Sequence, residues 1–468
     1  MPPIGAKAGA DAAADGKMAT MASGTPAPGT DSEGVDPQDE VVGILRDLIR
    51  IDTTNTGEAD TTVGEAEAAE YVEGQLTEVG YTPERFTTTT ARRQGVHLRI
   101  PGRDPQRGAL LLHGHLDVVP AIAADWTVPP FDAAEIDGAI WGRGAVDMKD
   151  MDAMLIALVR DWARRGYVPP RDIVVIFTPD EEAGCRQGSH WIVANRPDML
   201  EGVTEAVGEV GGFSLTMPDD HRLYLLQTAE KGIAWLRLTA TGPGGHGSMI
   251  HRHNPVTELA AATHRLGAHR FPVTMTPTTS ACVAGISGPL GVPFDPDDPQ
   301  HFLTELGSMA SILGATLSHT VNPTMLSAGI KANVVPREAH AVVDGRFLPG
   351  REDEFLAMVD ELLGESVSRE SVNFDHGVET TFDGPTIEAM AAAVTAEDPR
   401  GTAIPYMMSG GTDAKAWSTV GIRCYGFVPL RLPPELNFPA MFHGVDERVP
   451  IESVQFGVRV LQRFIDSC

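Results

Sequence analysis

Residues 109–117 read ALLLHGHLD, an apolar run that ends in two histidines and an aspartate. Such a continuous apolar run is typical of a β-strand that is covered on both faces. A second run, IVVIF at 173–177, leads into the acidic turn TPDEEAG. A helical pattern over 148–165 separates the two runs. This alternation predicts an α/β fold, a doubly wound sheet flanked by helices, with polar side chains at the carboxyl ends of its strands.

The same helical and apolar patterns continue on both sides of this region and are interrupted once. A helix that begins at Asp36-Pro37 precedes it, and helices near 353–366, 386–396 and 453–465 follow the interruption. The interruption itself combines period-two alternation at 233–240 with two helical patterns, at 254–266 and 302–313, and two further strands. We therefore predict a disordered tail at 1–36, a catalytic domain in two segments at 37–225 and 350–468, and an inserted α+β lid domain at 226–349.

Composition excludes several classes of protein. The 468 residues include 64 acidic and 36 basic ones, which gives a formal net charge of −28. Apolar residues make up 42% of the chain. So acidic a chain is a poor partner for nucleic acid, which requires clusters of Lys and Arg. No apolar run approaches the length of about 18 residues that a membrane helix needs, and the first residues lack the apolar segment of a signal peptide.

The cysteines point to a reducing compartment. The four of them, Cys185, Cys282, Cys424 and Cys468, are widely spread and lack the spacing of a thiolate metal site. Because they also form no recognisable disulfide framework, we expect a cytoplasmic location.

Side chains of metal-binding type follow the predicted strands. They are His115, Asp117, Asp147, Glu181, Glu182, Glu209 and, near the end of the chain, His443. Each alone has an ordinary structural explanation: Glu181 and Glu182 could form a solvated turn, and Asp147 could cap a helix. Together at one edge of a sheet they would repel one another, or stay unpaired, unless a cation neutralised them. The pattern therefore predicts a metal centre.

Five motifs, HGHLDVVP, WGRGAVDMKD, PDEEAG, GEVGG and FHGVDE, carry a resemblance to a known family. In order and spacing the chain resembles the di-zinc metallopeptidases that include aminoacylase, acetylornithine deacetylase, succinyl-diaminopimelate desuccinylase and the Gly-X and glutamate carboxypeptidases. The resemblance extends over nearly all of the chain from residue 37 onward. It implies a zinc-binding domain interrupted by a smaller lid domain, and a cis peptide bond between Asp147 and Met148. It also implies two divalent metal ions per chain, Zn²⁺ in first place, with Co²⁺ and Mn²⁺ as alternatives.

The resemblance also implies a role for each polar side chain. Asp147 would bridge both ions, His115 and Glu209 would complete one site, and Glu182 and His443 would complete the other. Three protein ligands for each ion leave positions for water and substrate.

Two acidic residues remain beside this ligand set. Asp117 is expected to accept a hydrogen bond from the second ring nitrogen of His115. Glu181 is expected to be the general base, which takes the proton when a metal-bridging hydroxide forms and later passes it to the leaving nitrogen.

The inserted domain supplies further candidates. In GPGGHGS, His246 matches a family histidine that reaches the active site of the other subunit of a dimer, where it would donate to the developing oxyanion. Asn333 and Arg346 resemble substrate contacts of the family, and a guanidinium pairs bidentately with a carboxylate. Gly410 and Gly411 resemble a segment whose amides bind the same end of the substrate, although a plain strand-to-helix turn explains them equally well.

These residues predict a metal-dependent hydrolase that cleaves the amide bond of an N-acyl amino acid or small peptide and forms a homodimer through its lid. The first alternative is a dipeptidase or aminopeptidase with the same metal centre. The second is a catalytically silent binding protein on the same scaffold, and the presence of Glu181 beside all five ligands argues against it.

Overall fold

The computed structural model describes residues 35–468, so the tail predicted at 1–36 falls outside the described residues except for its last two positions. Within this part the strands are β1 Glu84–Thr87, β2 Gln94–Ile100, β3 Ala109–His115, β4 Ala134–Ile136, β5 Ala139–Trp141, β6 Ile173–Thr178, β7 Val203–Gly208, β8 Ser214–Thr216, β9 Arg222–Glu230, β10 Gly232–Thr241, β11 Gly245–His246, β12 Thr320–Ala328, β13 Val334–Val335, β14 Glu338–Phe347, β15 Val367–Asp375, β16 Val378–Glu379, β17 Gly401–Met408, β18 Arg423–Gly426 and β19 Arg448–Pro450. The helices are α1 Pro37–Arg50, α2 Ala66–Glu78, α3 Lys149–Arg165, α4 Ser189–Asn195, α5 Pro255–Ala268, α6 Pro277–Leu290, α7 Pro299–Glu305, α8 Ala310–Thr316, α9 Glu352–Leu363, α10 Pro385–Glu397, α11 Ala414–Ser418 and α12 Ile451–Ser467.

Local sequence signals set the ends of several helices. α1 has Pro37 as its first residue, and the Asp36 carboxylate accepts a hydrogen bond from the Gln38 N–H at 2.9 Å. A side-chain oxygen at this position satisfies a backbone donor that the helix leaves without a partner. α3 ends at Gly166, whose φ of 60° is the left-handed conformation that glycine adopts without strain.

The large sheet is mixed, and its order is β1-β2-β6-β3-β7-β18-β9-β16, with β8 and β17 also paired to β9. β3 runs parallel to both β6 and β7, so the carboxyl ends of these three strands lie at one edge. Every residue of β3 and β6 is buried. The α/β class predicted from the sequence is confirmed.

Alternate residues of β3 face two different hydrophobic cores. Leu110 and Leu112 pack in one core with apolar residues of α1, α3 and α12. Leu111 packs in the other core with Ile192 of α4 and Trp417 of α11. Because successive side chains of a strand point to opposite faces, an unbroken apolar run is the sequence of a strand that is covered by helices on both sides.

A second sheet is antiparallel and has the order β12-β14-β10-β15. In β10, Leu236 and Leu238 belong to the core that this small sheet forms with α5 and α9. β9 ends at Glu230 and β10 begins at Gly232, so the chain passes from the large sheet to the small one through a single residue. It returns between β15 and β16.

Two groups of helices pack on a different sheet from the one expected. The helix predicted at 353–366 was assigned to the catalytic domain, but α9 packs on the small sheet, and β15, the next strand, belongs to that sheet. The helix predicted at 302–313 was assigned to the lid, but α7 and α8, with α6, pack in the core of the large sheet, where α6 and α8 contact β17. An amphipathic pattern indicates that one face of a helix is buried but does not identify the sheet that covers it.

Two further features bear on the setting of the chain. Over residues 35–468, no helix has both the length and the apolar composition needed to cross a bilayer. All four cysteines are free and buried.

Candidate active site

Polar side chains converge where three parallel strands of the large sheet end. His115 is the last residue of β3, Glu181 and Glu182 follow β6 after two residues, and Glu209 follows β7 directly. The structure therefore brings together the side chains that the sequence analysis placed at this edge.

Two further residues reach the same place from loops. Asp147 precedes α3, and the peptide bond between it and Met148 is cis, as the resemblance implied. His443 lies in the loop before β19, in the left-handed backbone conformation with a φ of 56°.

The carboxylate of Asp147 lies between two histidines. Its Oδ1 is 3.1 Å from His115 Nε2, and its Oδ2 is 3.3 Å from His443 Nε2. Glu209 Oε2 lies 3.4 Å from His115 Nε2, and Glu182 Oε2 lies 3.0 Å from His443 Nε2. These distances divide the five residues into two sets of three that share Asp147.

The chemistry of these side chains fits a metal centre. Donor atoms of His115, Asp147 and Glu182 all lie within 4.8 Å of one another, and so do those of His115, Glu181 and Glu209. The buried Oε1 of Glu182 has no hydrogen-bond partner within the part of the chain that the structure describes. Four crowded carboxylates would repel one another without compensating positive charge. Imidazole and carboxylate ligands suit Zn²⁺ and related divalent ions.

The crowding also shifts the proton equilibria of the site. Burial raises the pKa of Glu209 to about 8, and burial together with the nearby charge of Glu209 raises the pKa of Glu181 well above its usual value. Hydrogen bonds to Asp147 and Glu182 raise the pKa of His443 to about 10. A nearby cation would favour the ionised form of each of these acids.

Asp117 contacts a different group from the one expected. The Nδ1 of His115 donates to the backbone carbonyl of Asp117 at 2.9 Å, whereas the nearer carboxylate oxygen is 3.6 Å away. The carboxylate instead accepts from the N–H groups of Glu181 and Glu182, both at 3.1 Å, and from Asn55 Nδ2 at 2.8 Å. The expected role is therefore corrected: the carbonyl orients His115, because the side chain is taken up by two amides of the acidic turn that need acceptors.

Glu447, which was not among the residues predicted from the sequence, supports the loop before Asp147. Its buried carboxylate accepts from the N–H groups of Gly144 at 3.0 Å, Val146 at 2.7 Å and Asp147 at 3.2 Å. It also accepts from the Arg143 guanidinium at 2.7 Å. Glu447 is the last letter of the FHGVDE motif, so the motif contained the signal, although nothing in it identified the contact.

A cavity of about 170 Å³ lies beside the side chains that surround Asp147. Its apolar wall contains Ile233 and Trp235 from β10 and Met408 from β17. The predicted substrate residues Gly410 and Gly411 also line it. Residues of both sheets therefore enclose the space in front of the metal-binding set.

Arg346 lines the same cavity from β14. Its guanidinium is held by the Asp344 carboxylate, with Nε–Oδ1 and Nη2–Oδ2 distances of 2.6 and 3.0 Å. Asp344 thus fixes the plane of the guanidinium, and the remaining Nη1 has no acceptor among the described residues.

His246 and Asn333 lie beside each other but do not line this cavity. His246 lies in β11 and Asn333 directly precedes β13, which pairs with β11, and the Gly247 N–H donates to the Asn333 carbonyl at 2.9 Å. Both side chains are exposed. The structure of one chain therefore does not bring these two predicted residues to the metal-binding set.

Comparison with known proteins identifies related sequences. The family model described as peptidase family M20/M25/M40 matches residues 111–467. The chain is 27% identical over 443 residues to the human N-fatty-acyl-amino acid synthase/hydrolase PM20D1, with 90% of this chain and 86% of the relative covered. It is 29% identical over 359 residues to aminoacylase-1 of Sus scrofa, with 75% and 78% covered.

Solved structures share the fold. The metallo-carboxypeptidase Sso-CP2 from Sulfolobus solfataricus matches with a TM-score of 0.70 at 17% identity, over 92% of this chain and 99% of that one. The dipeptidase Dug1p from Saccharomyces cerevisiae matches with a TM-score of 0.69 at 15% identity, over 92% and 98%. Both sheets therefore have counterparts in proteins with little sequence in common.

Proposed function

Because the chain belongs to peptidase family M20/M25/M40, we propose that the side chains around Asp147 form the catalytic metal centre of an amide hydrolase. The enzyme is a metal-dependent hydrolase of N-acyl amino acids or small peptides. The observation that carries the assignment to this site is the position of the Asp147 carboxylate, with one oxygen toward His115 and the other toward His443.

Two divalent ions, Zn²⁺ in first place, fit the two sets of donors. His115 and Glu209 would hold one ion, Glu182 and His443 the other, and Asp147 both. When bound, such ions lower the pKa of water and polarise the carbonyl of the scissile bond.

Glu181 is the side chain that moves the proton. It lines the cavity, and its Oε2 lies 3.9 Å from His115 Nε2, at the edge of the ligand set. Hydrogen bonds from its own N–H and that of Glu182 to Asp117 fix the turn that carries it. From this position Glu181 accepts the proton of the attacking water and delivers it to the leaving nitrogen.

The walls of the cavity suit an amino-acid derivative. Arg346 would bind the carboxylate of the substrate through its free Nη1, and the apolar wall of Ile233, Trp235 and Met408 would contact the apolar part. The amides of Gly410 and Gly411 would bind the carboxylate end as well.

A homodimer through the small sheet would complete the site. β12 is an edge strand of that sheet, and its side chains Met325 and Leu326 are 66% and 64% exposed. Ile250, near His246, is 97% exposed. An open apolar edge favours pairing with a second copy. In the dimer, His246 would donate to the developing oxyanion in the cavity of the other subunit.

The test is Glu181→Gln on metal-loaded enzyme. We expect kcat to fall by about 10²–10⁴, the usual contribution of a general base, while the variant still binds two ions per chain by elemental analysis. Glu182→Gln is the matched control, because it changes the neighbouring residue and should reduce metal content. Normal turnover by Glu181→Gln would remove Glu181 from this role.

A dipeptidase with the same centre would need an acidic partner for the free amine of its substrate. Asp375 lines the cavity, but its carboxylate already lies 2.8 Å from Arg186 Nη2 and 3.3 Å from His190 Nε2. This pairing favours a substrate with an acylated nitrogen. Comparing N-acetyl amino acids with unblocked dipeptides separates the two activities.

A further inference from the structure

The chain crosses between the large and small sheets at four places within residues 35–468. It leaves the large sheet at Lys231 and returns at 376–377. Between these points it leaves the small sheet at 269–276, so that α6, α7 and α8 can pack on the large sheet, and it rejoins the small sheet at 317–319. The position of one sheet relative to the other depends on how these four crossings are held.

The buried ammonium of Lys415, in α11, holds two of the crossings. Its Nζ donates to the Lys231 carbonyl at 2.6 Å and to the His376 carbonyl at 3.3 Å, and lies 3.1 Å from Glu230 Oε1. Two of the three ammonium protons are therefore used by backbone carbonyls, and the contact with Glu230 is an ion pair. The two crossings are the outgoing and returning connections of the small sheet.

Lys231 carries the connection further. Its own Nζ donates to the carbonyls of Ala315 at 2.9 Å and Ser318 at 2.8 Å, and to Thr320 Oγ1 at 3.1 Å. Ser318 belongs to the crossing that leads back to β12, and Ala315 and Thr320 lie on either side of it. The remaining crossing, at 269–276, is attached to the one at 317–319, because the Thr274 N–H donates to the Leu317 carbonyl at 2.8 Å.

Lys415 also lines the cavity. The metal-binding side chains come from the large sheet, whereas Trp235 and Arg346 come from the small one. Lys415 therefore lies where the two walls of the cavity meet. Because two of its protons are directed at backbone carbonyls and its charge is paired with Glu230, Lys415 is less well placed than Arg346 to bind a substrate carboxylate.

We propose that Lys415 is a positioning residue that fixes the small sheet, and with it Arg346, at the correct distance from the metal centre. The inference rests on the proposed function only in treating Arg346 as the partner of the substrate carboxylate. A misplacement of about 1 Å can cost about 10²-fold in rate, so a small shift of Arg346 at the crossings should reduce kcat/KM.

The first measurement needs no substrate. Metal-loaded enzyme carrying Lys415→Met is compared with the parent by hydrogen exchange, and Lys415→Met/Glu230→Gln is included because it leaves no unpaired buried carboxylate. We expect exchange to rise by about tenfold or more at the amides of Lys231 and Thr380, which are bonded to Met408 and Thr228 across the crossings.

The second measurement is kinetic. We expect Lys415→Met to raise KM for an N-acetyl amino acid by about tenfold or more with a smaller change in kcat, because substrate binding uses both walls and the metal centre uses one. In an Arg346→Met background the same substitution should add little, because its effect passes through Arg346.

Arg171→Met is the matched control. Arg171 is also a buried cation, bonded to Glu205 and to the Ala109 carbonyl, but it lies at the opposite end of the strands. Its loss should lower stability and leave the exchange of Lys231 and KM unchanged.

Two outcomes would overturn the proposal. If KM rises while exchange at Lys231 and Thr380 stays at the parental rate, Lys415 contacts the substrate directly. If neither quantity changes in the single and double variants, Lys415 positions nothing. If the parent hydrolyses no substrate, only the proposed function fails, and the exchange measurement decides the role of Lys415 by itself.

Discussion

The buried carboxylate of Glu447 fixes the backbone of Asp147, whose N–H donates to Glu447 Oε1 at 3.2 Å. The two residues are separated by 300 positions in the chain. Glu447 also accepts hydrogen bonds from the N–H groups of Gly144 and Val146, so a single side chain fixes the loop that carries the Asp147 carboxylate.

Glu447→Gln should therefore weaken metal binding without touching a metal ligand. One oxygen becomes an NH₂ group that faces backbone donors, and the loop shifts to relieve this contact. Losing such a support costs about 10–100-fold in metal affinity. Competition with a chelator of known affinity measures the change, and an unaltered affinity would contradict it. Glu354→Gln, on the surface, serves as the control for the same change of residue type.

Removing metal should lower thermal stability as well as activity. The buried acids around Asp147 repel one another when no cation is present, and a ligand that binds only the folded state at 100 times its dissociation constant stabilises it by about 2.7 kcal/mol. Thermal melts with and without chelator measure the shift. Returning Zn²⁺, Co²⁺ or Mn²⁺ one at a time should restore both quantities, and the metal that restores most activity identifies the best fit. A chelated enzyme with an unchanged melting temperature would argue against a metal at this site.

Arg346→Met should act on substrates that carry a carboxylate. Hydrogen bonds to charged groups contribute about 1.5–3 kcal/mol, so kcat/KM should fall by about 10–150-fold. Arg346→Lys keeps the charge but lacks the planar fork that Asp344 holds, and it should recover only part of the loss. The measurement compares an N-acyl amino acid with its C-terminal amide. Equal losses on both substrates would show that Arg346 does not bind the carboxylate.

Mixing two inactive variants tests whether His246 acts across a dimer. His246→Ala and Glu181→Gln should each have little activity alone. After subunit exchange, half of the dimers are mixed and one of their two sites has both residues, so about a quarter of parental activity should return. Each variant mixed with itself is the control. Activity that does not rise on mixing would show that His246 does not serve a second subunit.

Lys231 should make stability depend on pH above neutrality. Burial lowers the pKa of Lys231 from 10.5 to about 7, so between these values the unfolded chain binds more protons than the folded one. The free energy of unfolding therefore rises as pH increases from about 7 to 10.5. Below about 7 the buried charge of Lys231 destabilises the folded state by a constant amount. Urea unfolding at several pH values should show that the free energy of unfolding of the parent increases relative to that of Lys231→Met between pH 7 and 10.5. Parallel pH profiles would contradict the shift.

The sequence predicted the residues around Asp147 because strand ends in an α/β sheet converge at one edge. The apolar run at 109–112 defines a strand that is buried on both faces, and the polar residues that follow it lie toward its carboxyl end. Glu181 and Glu182 follow the next such run. His443 was found only through its motif, because the loop that carries it has no periodicity from which a position could be derived.

Other features depend on tertiary contacts that local patterns do not contain. The sequence SVSRESVNFD gave no strand, yet β15 pairs along β10 and completes the small sheet. Only three of its nine residues are buried and residues 370–372 are all exposed, so it lacks the alternation of a half-buried strand. Asp117 was predicted to orient His115 because of its spacing, but the carboxylate bonds to the acidic turn instead. Lys415 and Glu447 were missed for the same reason, since their partners lie far away in the chain.

The helices α6 to α8 interrupt the small sheet in sequence but cover β17 of the large one. A shortened chain that joined residue 231 directly to 376 would therefore lose more than a separable appendage. It would leave Ile404 and Tyr406 in contact with water, and the excised piece would carry Phe302 and Leu313 without their packing partners. The insertion therefore cannot be removed or transferred as an independent unit, because part of it completes the hydrophobic core of the large sheet.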